Sequence, residues 1–403
     1  MAEQAQKKAK RASAEGRRRR GHGEGAIFQR GDGRWVASVD YGWVNGKRKR
    51  KDLYGKTRAE VREKLAREVQ RRRDGLAPAP ERLTVGQFLD DWLRDVVKPN
   101  KTPNTYAAYE VKVRKYLKPA LGRHRLARLG PEHVQAFMTA AQEVDKVSAT
   151  TVRDARTVLG IALGQAIRWG MVSRNAAELT TSPRVKVREV EPLDFDRARA
   201  FLEAIRGHRL EALFRVALAL GIREGEALGL RWQDVDLDGR VVRIRKQLQV
   251  NPQTRILELV DVKSTRSRRS INLLDFAIRA LRDHRARQLE DRLRAGEAWQ
   301  DWQGAGLVFT DERGGAIPAR NMLRMFDKLR TAAGLPGLRF HDTRHTCATF
   351  LLVQGVSERV VMEILGHSSL AMTQRYAHVL PPLRQDAADR LDAALRLAEE
   401  APA

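Results

Sequence analysis

Two short segments without hydrophobic periodicity divide this 403-residue chain, so we expect more than one hydrophobic core. The first runs Gly75-Leu76-Ala77-Pro78-Ala79-Pro80 and predicts a linker over residues 76–82. The second runs from Thr181 to Pro192, is rich in proline and basic residues, and predicts a linker over residues 181–192. The chain is long enough for the two or three domains that such linkers would separate.

The composition predicts a folded, multidomain chain. Apolar residues make up 42% of the chain and charged residues 31%, which is typical of a globular protein and argues against disorder throughout. We expect a disordered basic tail over 1–24, a small β-sheet plus helix domain over 25–75 and an all-α bundle over 83–180. We then expect an α+β, mostly helical domain with a small antiparallel sheet over 193–385, and a tail helix over 386–403.

Positive charge is concentrated at the amino-terminal end. The formal net charge is +26, and residues 1–80 supply half of it, with 23 Lys and Arg against 10 Asp and Glu. Such an excess indicates a polyanionic partner, because neutralising phosphates releases condensed counterions. The sequence therefore predicts nucleic acid as the leading partner, with the tail around Arg17 to Arg20 either ordered by DNA or simply solvated.

The apolar segments and the cysteine content argue against a membrane protein and favour a reducing cytoplasm. No stretch approaches the roughly 20 apolar residues of a bilayer span, since even the run from Leu213 to Ile222 is interrupted by Arg215. The basic start of the chain is not followed by the apolar region of a secretory signal. The single cysteine, Cys347, allows no internal disulfide, which fits a reducing compartment.

Residues 25–75 have the pattern of a basic hairpin domain. Apolar residues alternate from Trp35 to Tyr41, and Asn45-Gly46 has the composition of a two-residue hairpin turn. Thr57-Arg58-Ala59-Glu60 is a capping box that would open a helix running toward Arg73. The second strand carries candidate DNA contacts that also suit an ordinary solvated face: Lys47, Arg48, Lys49 and Arg50.

Helix-start signals dominate residues 83–180. Thr84 and Ser148 are N-cap residues, and Pro103 and Pro131 suit the first helical turn. Each precedes apolar residues at helical spacing, so we expect a helical bundle of ordinary domain size. Its surface offers basic residues that either clamp a DNA backbone or solvate the helices: Lys112, Arg114, Lys115, Arg153 and Arg156.

Two segments of residues 193–385 place cations beside a helix start and a hairpin. In Arg223-Glu224-Gly225-Glu226, an arginine and a carboxylate lie three positions apart, so Glu226 can hold Arg223 in place. Lys263 ends a strand at the head of a hairpin turn. The hairpin belongs to one small antiparallel sheet, predicted from strands at 241–250, 256–262 and 269–273.

Two further segments bring histidines close to an arginine and a tyrosine. His341 and Arg344 are three positions apart and would share a helix face. His367 precedes a segment that ends with Tyr376 and His378. Four of the nine histidines therefore lie within residues 341–378, around the last tyrosine of the chain.

In these residues the domain over 193–385 resembles the tyrosine recombinases of the phage integrase family. The positions that match the family's catalytic motif, in order, are Arg223, Lys263, His341, Arg344, His367 and Tyr376. The resemblance implies site-specific DNA strand exchange through a covalent 3′-phosphotyrosine, with no metal or nucleotide cofactor. Residues 25–75 similarly resemble the arm-binding domain of many phage-type integrases, and residues 83–180 would then bind core DNA.

Phosphodiester chemistry gives five of the six matching residues a role in the reaction. Two arginine forks, Arg223 and Arg344, can stabilise the charge on the equatorial phosphate oxygens. The phenol of Tyr376 is mostly protonated at neutral pH, so we expect His341 to accept its proton. The leaving 5′ oxygen needs a proton, which Lys263 can supply.

The neighbouring polar residues have simpler interpretations. His367 would add a hydrogen bond to the phosphate, and Glu226 would keep the cationic cluster in shape. His345 is expected to be structural. Basic residues beside the hairpin lysine are typical of a charged hairpin tip, although they also suit phosphate contacts: Arg266, Arg268 and Arg269.

Two other functions use much of the same sequence. A type IB topoisomerase-like enzyme would nick and reseal one duplex with the same residues, and a non-catalytic DNA-binding regulator would need none of them. The family resemblance favours a recombinase that integrates or excises a mobile element at specific attachment sites in double-stranded DNA and assembles as a tetramer on DNA. It also implies a location in the bacterial cytoplasm or nucleoid. The tail over 386–403 would then pack on a neighbouring protomer or fold back on its own domain, and an accessory bending or directionality protein is compatible with this arrangement.

Overall fold

The computed structural model describes residues 27–44, 47–73, 82–185, 191–263 and 265–366. The chain divides into two compact units, residues 1–186 and 187–403. The predicted tails at 1–24 and 386–403 lie outside the described residues. Within the described ranges the chain is rich in helices with small antiparallel sheets, and none of these helices has the length and apolar character needed to cross a membrane.

A three-stranded antiparallel sheet lies near the start of the described chain. Its strands are β1 (Ile27–Gln29), β2 (Trp35–Val44) and β3 (Lys47–Gly55), in the order β1-β2-β3. Helix α1 (Arg58–Arg73) covers one face, where alternating apolar residues of the strands meet the helix. The predicted Asn45-Gly46 turn lies outside the described residues, but Val44 pairs with Lys47 on either side of it.

The helical bundle of the first unit follows the predicted start signals. Its helices are α2 (Val85–Trp92), α3 (Lys98–Asn100), α4 (Pro103–Lys112), α5 (Lys118–Leu121), α6 (Pro131–Glu143) and α7 (Ala149–Arg168). Thr84 forms the N-cap of α2 in a capping box with Gln87, and Ser148 caps α7. The starts predicted at Pro103 and Pro131 are also confirmed.

Two π-helical turns connect bundle helices end to end. Leu93–Val97 joins α2 to α3, and Val113–Leu117 joins α4 to α5. Each turn is followed two residues later by a proline, Pro99 or Pro119. Proline has no N–H to donate and its ring crowds the preceding turn, so a locally wider helix lets the chain continue.

Seven helices of the second unit surround an aromatic core. They are α8 (Phe195–Ala204), α9 (Glu211–Leu220), α10 (Glu224–Leu228), α11 (Asp275–Ala295), α12 (Ala319–Ala332), α13 (Phe340–Val353) and α14 (Glu358–Leu365). Phe201, Phe214, Phe326 and Phe340, one each from α8, α9, α12 and α13, are all buried and pack against one another. This packing fixes the end of α9 beside the start of α13, where the site described below lies.

The strands of the second unit form two sheets, whereas the sequence predicted one. Strands β4 (Val235–Asp236), β5 (Val241–Ile244) and β8 (Arg269–Asn272) form the first sheet, and β6 (Lys246–Val250) pairs with β7 (Leu257–Asp261) in the second. The strand predicted over 241–250 was wrong because the chain changes partner at Arg245. Periodicity cannot reveal such a change, since β5 and β6 have the same local character.

Candidate active site

Arg223 is held at the start of α10 by a buried carboxylate. Its backbone is extended at the N-cap position, and the Glu226 carboxylate accepts both its backbone N–H (3.0 Å) and its Nη1 (2.8 Å). The Glu226 side chain is 1% exposed, while that of Arg223 is 34% exposed. The carboxylate therefore holds the arginine from the buried side and leaves part of its guanidinium open to solvent.

Arg269, at the start of β8, is a second partner of the same carboxylate. Its Nη2 and Nη1 donate to the two oxygens of Glu226 at 2.9 and 3.3 Å, and its side chain is 6% exposed. This is a correction, because the sequence placed Arg269 at a charged hairpin tip. Burial alone would raise the pKa of Glu226, but the hydrogen bonds and charges of Arg269 and Arg223 lower it, so Glu226 is ionised at neutral pH.

Arg344, on α13, is buried and donates to two backbone carbonyls. Its Nη1 reaches the carbonyl of Gly221 and its Nη2 that of Leu365, both at 2.6 Å. Gly221 ends α9 in the left-handed conformation, with φ 59°, which glycine adopts without strain. Arg344 therefore ties the end of α9 to the end of α14.

Three arginines converge on the carboxyl end of α14. Arg269 Nε donates to the carbonyl of Ile364 (2.6 Å), Arg344 Nη2 to that of Leu365 (2.6 Å), and Arg223 Nη2 to that of Gly366 (3.1 Å). These are three successive carbonyls at a helix end, where the backbone lacks internal donors and favours cations. The result is a compact cationic cluster, hereafter the arginine cluster, formed by Arg223, Arg269 and Arg344, in which Glu226 pairs with Arg223 and Arg269.

His341 lies one turn before Arg344 on α13 and is exposed at the surface. Partial burial of its ring and the positive charge of Arg344 lower the pKa of His341, so it is neutral at neutral pH and can accept a proton. His345 packs edge-on against it, with ring centroids 5.0 Å apart. Burial and the neighbouring His341 lower the pKa of His345 to about 4.

Of the remaining predicted site residues, only Lys263 lies within the described residues. Lys263 is exposed and lies just after β7, in the connection that leads to Arg269 and β8. His367 and Tyr376 lie outside the described residues. The described residues thus bring together Arg223, Glu226 and Arg344, with His341 one helical turn away.

The candidate DNA contacts of the amino-terminal sheet include two arginines with strand partners. Arg48 forms an ion pair with Asp40 at 2.6 Å, and Arg50 Nε donates to Ser38 Oγ at 2.5 Å. Both arginines and Lys49 are exposed, and Lys47 begins β3. In β2, Ser38 and Asp40 alternate with Ala37 and Val39, which face α1, so Arg48 and Arg50 lie on the sheet face opposite the helix.

The bundle candidates differ in how freely they could reach a ligand. Arg114 and Lys115 are exposed, although Arg114 pairs with Glu110, and Arg153 lies 4.0 Å from Asp154. Lys112 stacks over the Tyr116 ring and lies 3.9 Å from Asp154. Arg156 donates to the hydroxyl and the carbonyl of Thr180, at 2.9 and 3.1 Å, so its side chain is committed to the end of the bundle.

A basic groove of about 500 Å³ in the second unit was not predicted from the sequence. Asp261 is the one carboxylate among its described lining residues, against these basic residues: Arg231, Arg243, Arg245, Lys246, Arg268 and Arg269. They come from three segments, at Arg231, at 243–246 and at 268–269, and the sequence shows the basic residues of each segment but not that the segments meet. The pairing of β5 with β8 was the missing information.

Comparison with known families defines the class of this protein. The sequence model of the phage integrase family matches residues 191–381. The sequence model of the phage integrase N-terminal SAM-like domain matches residues 84–140. The first match includes the arginine cluster and also the positions of His367 and Tyr376. Together with the relatives described next, these matches show that the chain belongs to the phage integrase family and is a tyrosine recombinase, an enzyme of site-specific DNA recombination.

Two similar proteins extend over nearly the whole chain. A tyrosine recombinase XerC-like protein of Caldanaerobacter subterraneus subsp. tengcongensis is 31% identical, with 86% of this chain and 93% of that protein aligned. An integrase of Saccharopolyspora erythraea is 32% identical, with 93% of this chain and 98% of that protein aligned.

Solved structures of integrases share the fold. The Tn1549 transposon integrase, solved with a circular intermediate DNA, aligns with a TM-score of 0.66 at 21% identity and covers 77% of this chain and 99% of that chain. A lambda integrase tetramer bound to a Holliday junction aligns with a TM-score of 0.53 at 17% identity, covering 87% of this chain and 94% of that chain.

Proposed function

We propose that this recombinase integrates or excises a mobile DNA element at specific attachment sites, through a covalent 3′-phosphotyrosine. The observation that carries the proposal is the arginine cluster, in which Arg223 and Arg344 donate to the adjacent carbonyls of Gly366 and Leu365. Two guanidinium groups so close together provide the paired forks that a pentacoordinate phosphate requires. The integrase names of several relatives, and the transposon source of one structural neighbour, support a mobile element.

The proposed reaction transfers one phosphoryl group twice. The Tyr376 oxygen attacks the scissile phosphorus, and its proton passes to His341. The bond from phosphorus to the 5′ oxygen breaks, and that oxygen takes a proton from Lys263. A 5′-hydroxyl of a second strand then reverses the step, so rejoining conserves the bond energy and needs no nucleotide.

The remaining residues support this reaction. Arg223 and Arg344 bind the non-bridging oxygens, and Glu226 fixes Arg223 through two hydrogen bonds. His367 donates a further hydrogen bond to the phosphate. Because His341 has a lowered pKa, it enters the reaction as a neutral acceptor at neutral pH.

The other domains supply DNA affinity in this proposal. Residues 25–75 bind arm-type sites through the exposed sheet face that carries Arg48 and Arg50, and residues 83–180 bind core DNA. The linkers at 76–82 and 181–192 join them to a catalytic domain over 193–385. The tetramer of lambda integrase on a Holliday junction supports assembly into a tetramer on two duplexes, with 386–403 as the tail helix.

A covalent-capture experiment selects the core site and tests the chemistry together. Nicked duplexes with a randomised central segment are incubated with the full chain, and protein–DNA adducts that survive detergent are recovered and sequenced. We expect wild type to enrich one core sequence and Tyr376→Phe to yield no adduct. An adduct formed by Tyr376→Phe, or no adduct with wild type, would overturn the proposal.

The selected duplex then separates the individual roles. Lys263→Ala should slow cleavage strongly on the ordinary duplex and much less on one with a 5′-bridging sulfur, whose thiolate leaves without a proton. If Lys263→Ala is equally slow on both, Lys263 is not the general acid. Plasmids that carry two selected sites should recombine, whereas relaxation without exchange would identify a topoisomerase-like enzyme.

A further inference from the structure

We propose that Arg269 is a positioning residue for strand cleavage, which orients Arg223 through Glu226. The inference rests on the proposed function, because it assigns Arg269 to the same site. It adds a residue that the sequence placed at a solvated hairpin tip.

The contacts of Arg269 are those of an internal clamp. Its guanidinium spans both oxygens of Glu226, at 2.9 and 3.3 Å, and the same oxygens receive the backbone N–H and Nη1 of Arg223. Both hydrogen bonds that orient Arg223 from its buried side are therefore accepted by a carboxylate that Arg269 also holds. A single carboxylate shared by two arginines couples their positions.

Arg269 also fixes the backbone from which residues 367–403 continue. Its Nε donates to the carbonyl of Ile364 at 2.6 Å, two residues before Gly366. Gly366 has φ 66°, and a Cβ added there would lie 3.2 Å from both Cδ and Nη1 of Arg269. The helix end thus lies directly against the clamp, and a side chain at position 366 would push on Arg269.

The environment of Arg269 directs its donors into the protein. Its side chain is 6% exposed, against 34% for Arg223, and three of its nitrogens are engaged with Glu226, Ile364 and Ser267. Lysine would keep the charge but could not span a carboxylate and a carbonyl from one planar group. The geometry, rather than the charge alone, is the contribution of Arg269.

The test compares matched arginine-to-lysine variants on the covalently selected nicked duplex. Arg269→Lys should slow single-turnover adduct formation about 100-fold, with half-saturating DNA concentration within about twofold of wild type. Arg209→Lys is the control, because Arg209 also pairs with a buried carboxylate, Asp291, and donates to a carbonyl, that of Thr310. It should lose similar thermal stability and keep the wild-type rate. A wild-type rate for Arg269→Lys would overturn the inference.

A double-mutant cycle separates positioning from a general structural effect. In an Arg223→Ala background, adding Arg269→Lys should slow the residual reaction by no more than about twofold, because there is no fork left to position. If the two losses multiply, Arg269 does not act through Arg223 and the inference fails. Should Arg269→Lys unfold below the assay temperature, Arg269→Gln, which leaves Glu226 and its contacts with Arg223 unchanged in sequence, takes its place in the cycle.

The outcomes distinguish this inference from the function on which it rests. If wild type forms no adduct, or Tyr376→Phe still forms one, the proposed function fails. If the Tyr376-dependent adduct forms normally and Arg269→Lys has no effect on its rate, the function stands and only the positioning role is lost.

Discussion

The arginine cluster depends on a charge balance that single residues can upset. Glu226 is buried between Arg223 and Arg269, while Arg344 is satisfied by backbone carbonyls. One carboxylate therefore pairs with two guanidinium groups beside a third, and the excess positive charge of the cluster remains available for a phosphate. This arrangement makes the carboxylate important for stability as well as for orientation.

Glu226→Gln should lower the free energy of unfolding by about 3 kcal/mol at neutral pH, because it leaves buried arginines without their counter-charge. The pKa of Glu226 is lowered in the folded protein, so its contribution is present above the unfolded pKa of about 4.5 and is lost as the pH falls through the folded value. Urea denaturation should show the difference shrinking below about pH 4.5. Glu224→Gln is the control: burial raises the pKa of Glu224, so its neutralisation should not destabilise the protein. Equal losses in both variants would contradict the prediction.

Buried histidines should make the protein less stable in mild acid. Burial lowers the pKa of His284 to about 4, although its ring nitrogen hydrogen-bonds the carbonyl of Val308. Between about pH 6.5 and 4 the unfolded chain binds a proton that the folded chain does not, so stability falls as the pH falls, by up to about 1.4 kcal/mol per pH unit. His284→Gln should remove that part of the slope in urea denaturation between pH 6.5 and 5. An unchanged slope would show that other groups account for it.

The sequence identified site residues where the motif is local and missed one where the contact is distant. Arg223 and Glu226 are three positions apart, so their pairing follows from helix geometry. Arg269 is 43 positions from Glu226, and its burial depends on how β8 lies against α10 and α14. Its neighbours in sequence gave only the signal of a charged hairpin, which cannot predict a buried clamp.

At the scale of elements, the left-handed residue that ends α9 connects the aromatic core to the arginine cluster. Gly221 follows α9 with φ 59°, and its carbonyl accepts Nη1 of Arg344. A Cβ at this position would lie 2.4 Å from Leu365 Cδ2 and 3.2 Å from Cys347 Sγ. The glycine therefore serves both the turn and the close approach of α13 and α14.

Gly221→Ala should cost about 2 to 5 kcal/mol of stability, since strain from the left-handed backbone adds to overpacking against α14. Gly207→Ala is matched in conformation, with φ 75°, but a Cβ there meets nothing within 4 Å, so it should cost about 1 to 2 kcal/mol. Thermal melting and urea denaturation of both variants measure the difference. Equal losses would show that the backbone alone matters and that packing at Gly221 does not.

Helices were easier to predict than strand partners. Thr84, Pro103, Pro131 and Ser148 mark helix starts through their own side chains, so the signal is contained in a few residues. The two sheets of the second unit depend on which distant strand each segment meets, and the change of partner at Arg245 left no local trace. The π-helical turns are intermediate in predictability. The prolines that follow them can be read from the sequence, but the sequence does not show that the helix widens to accommodate each proline.

At the scale of the whole molecule, composition and sequence pattern carried different information. The resemblance to the family rests on six positions spread over residues 223–376, whereas the charge asymmetry indicates how strongly DNA is attracted. The predicted domain boundaries and the arm-binding role of residues 25–75 stay predictions. The described sheet identifies the surface on which the arm-binding role would depend, since Arg48 and Arg50 lie on the face opposite α1.

Removal of residues 1–26 should weaken the salt dependence of DNA binding more than it changes the reaction. This segment holds 8 Lys and Arg against 3 Asp and Glu, and each phosphate that it neutralises adds about 0.9 to the slope of log affinity against log salt. Deletion should therefore reduce the slope on mixed-sequence duplex DNA by up to about 7, while the adduct rate at saturating DNA is retained, because the arginine cluster is untouched. A full-length variant with Arg17 to Arg20 replaced by Gln should give an intermediate slope. If neither change alters the slope, residues 1–26 do not bind DNA, and the affinity must come from the sheet domain, the bundle and the second unit.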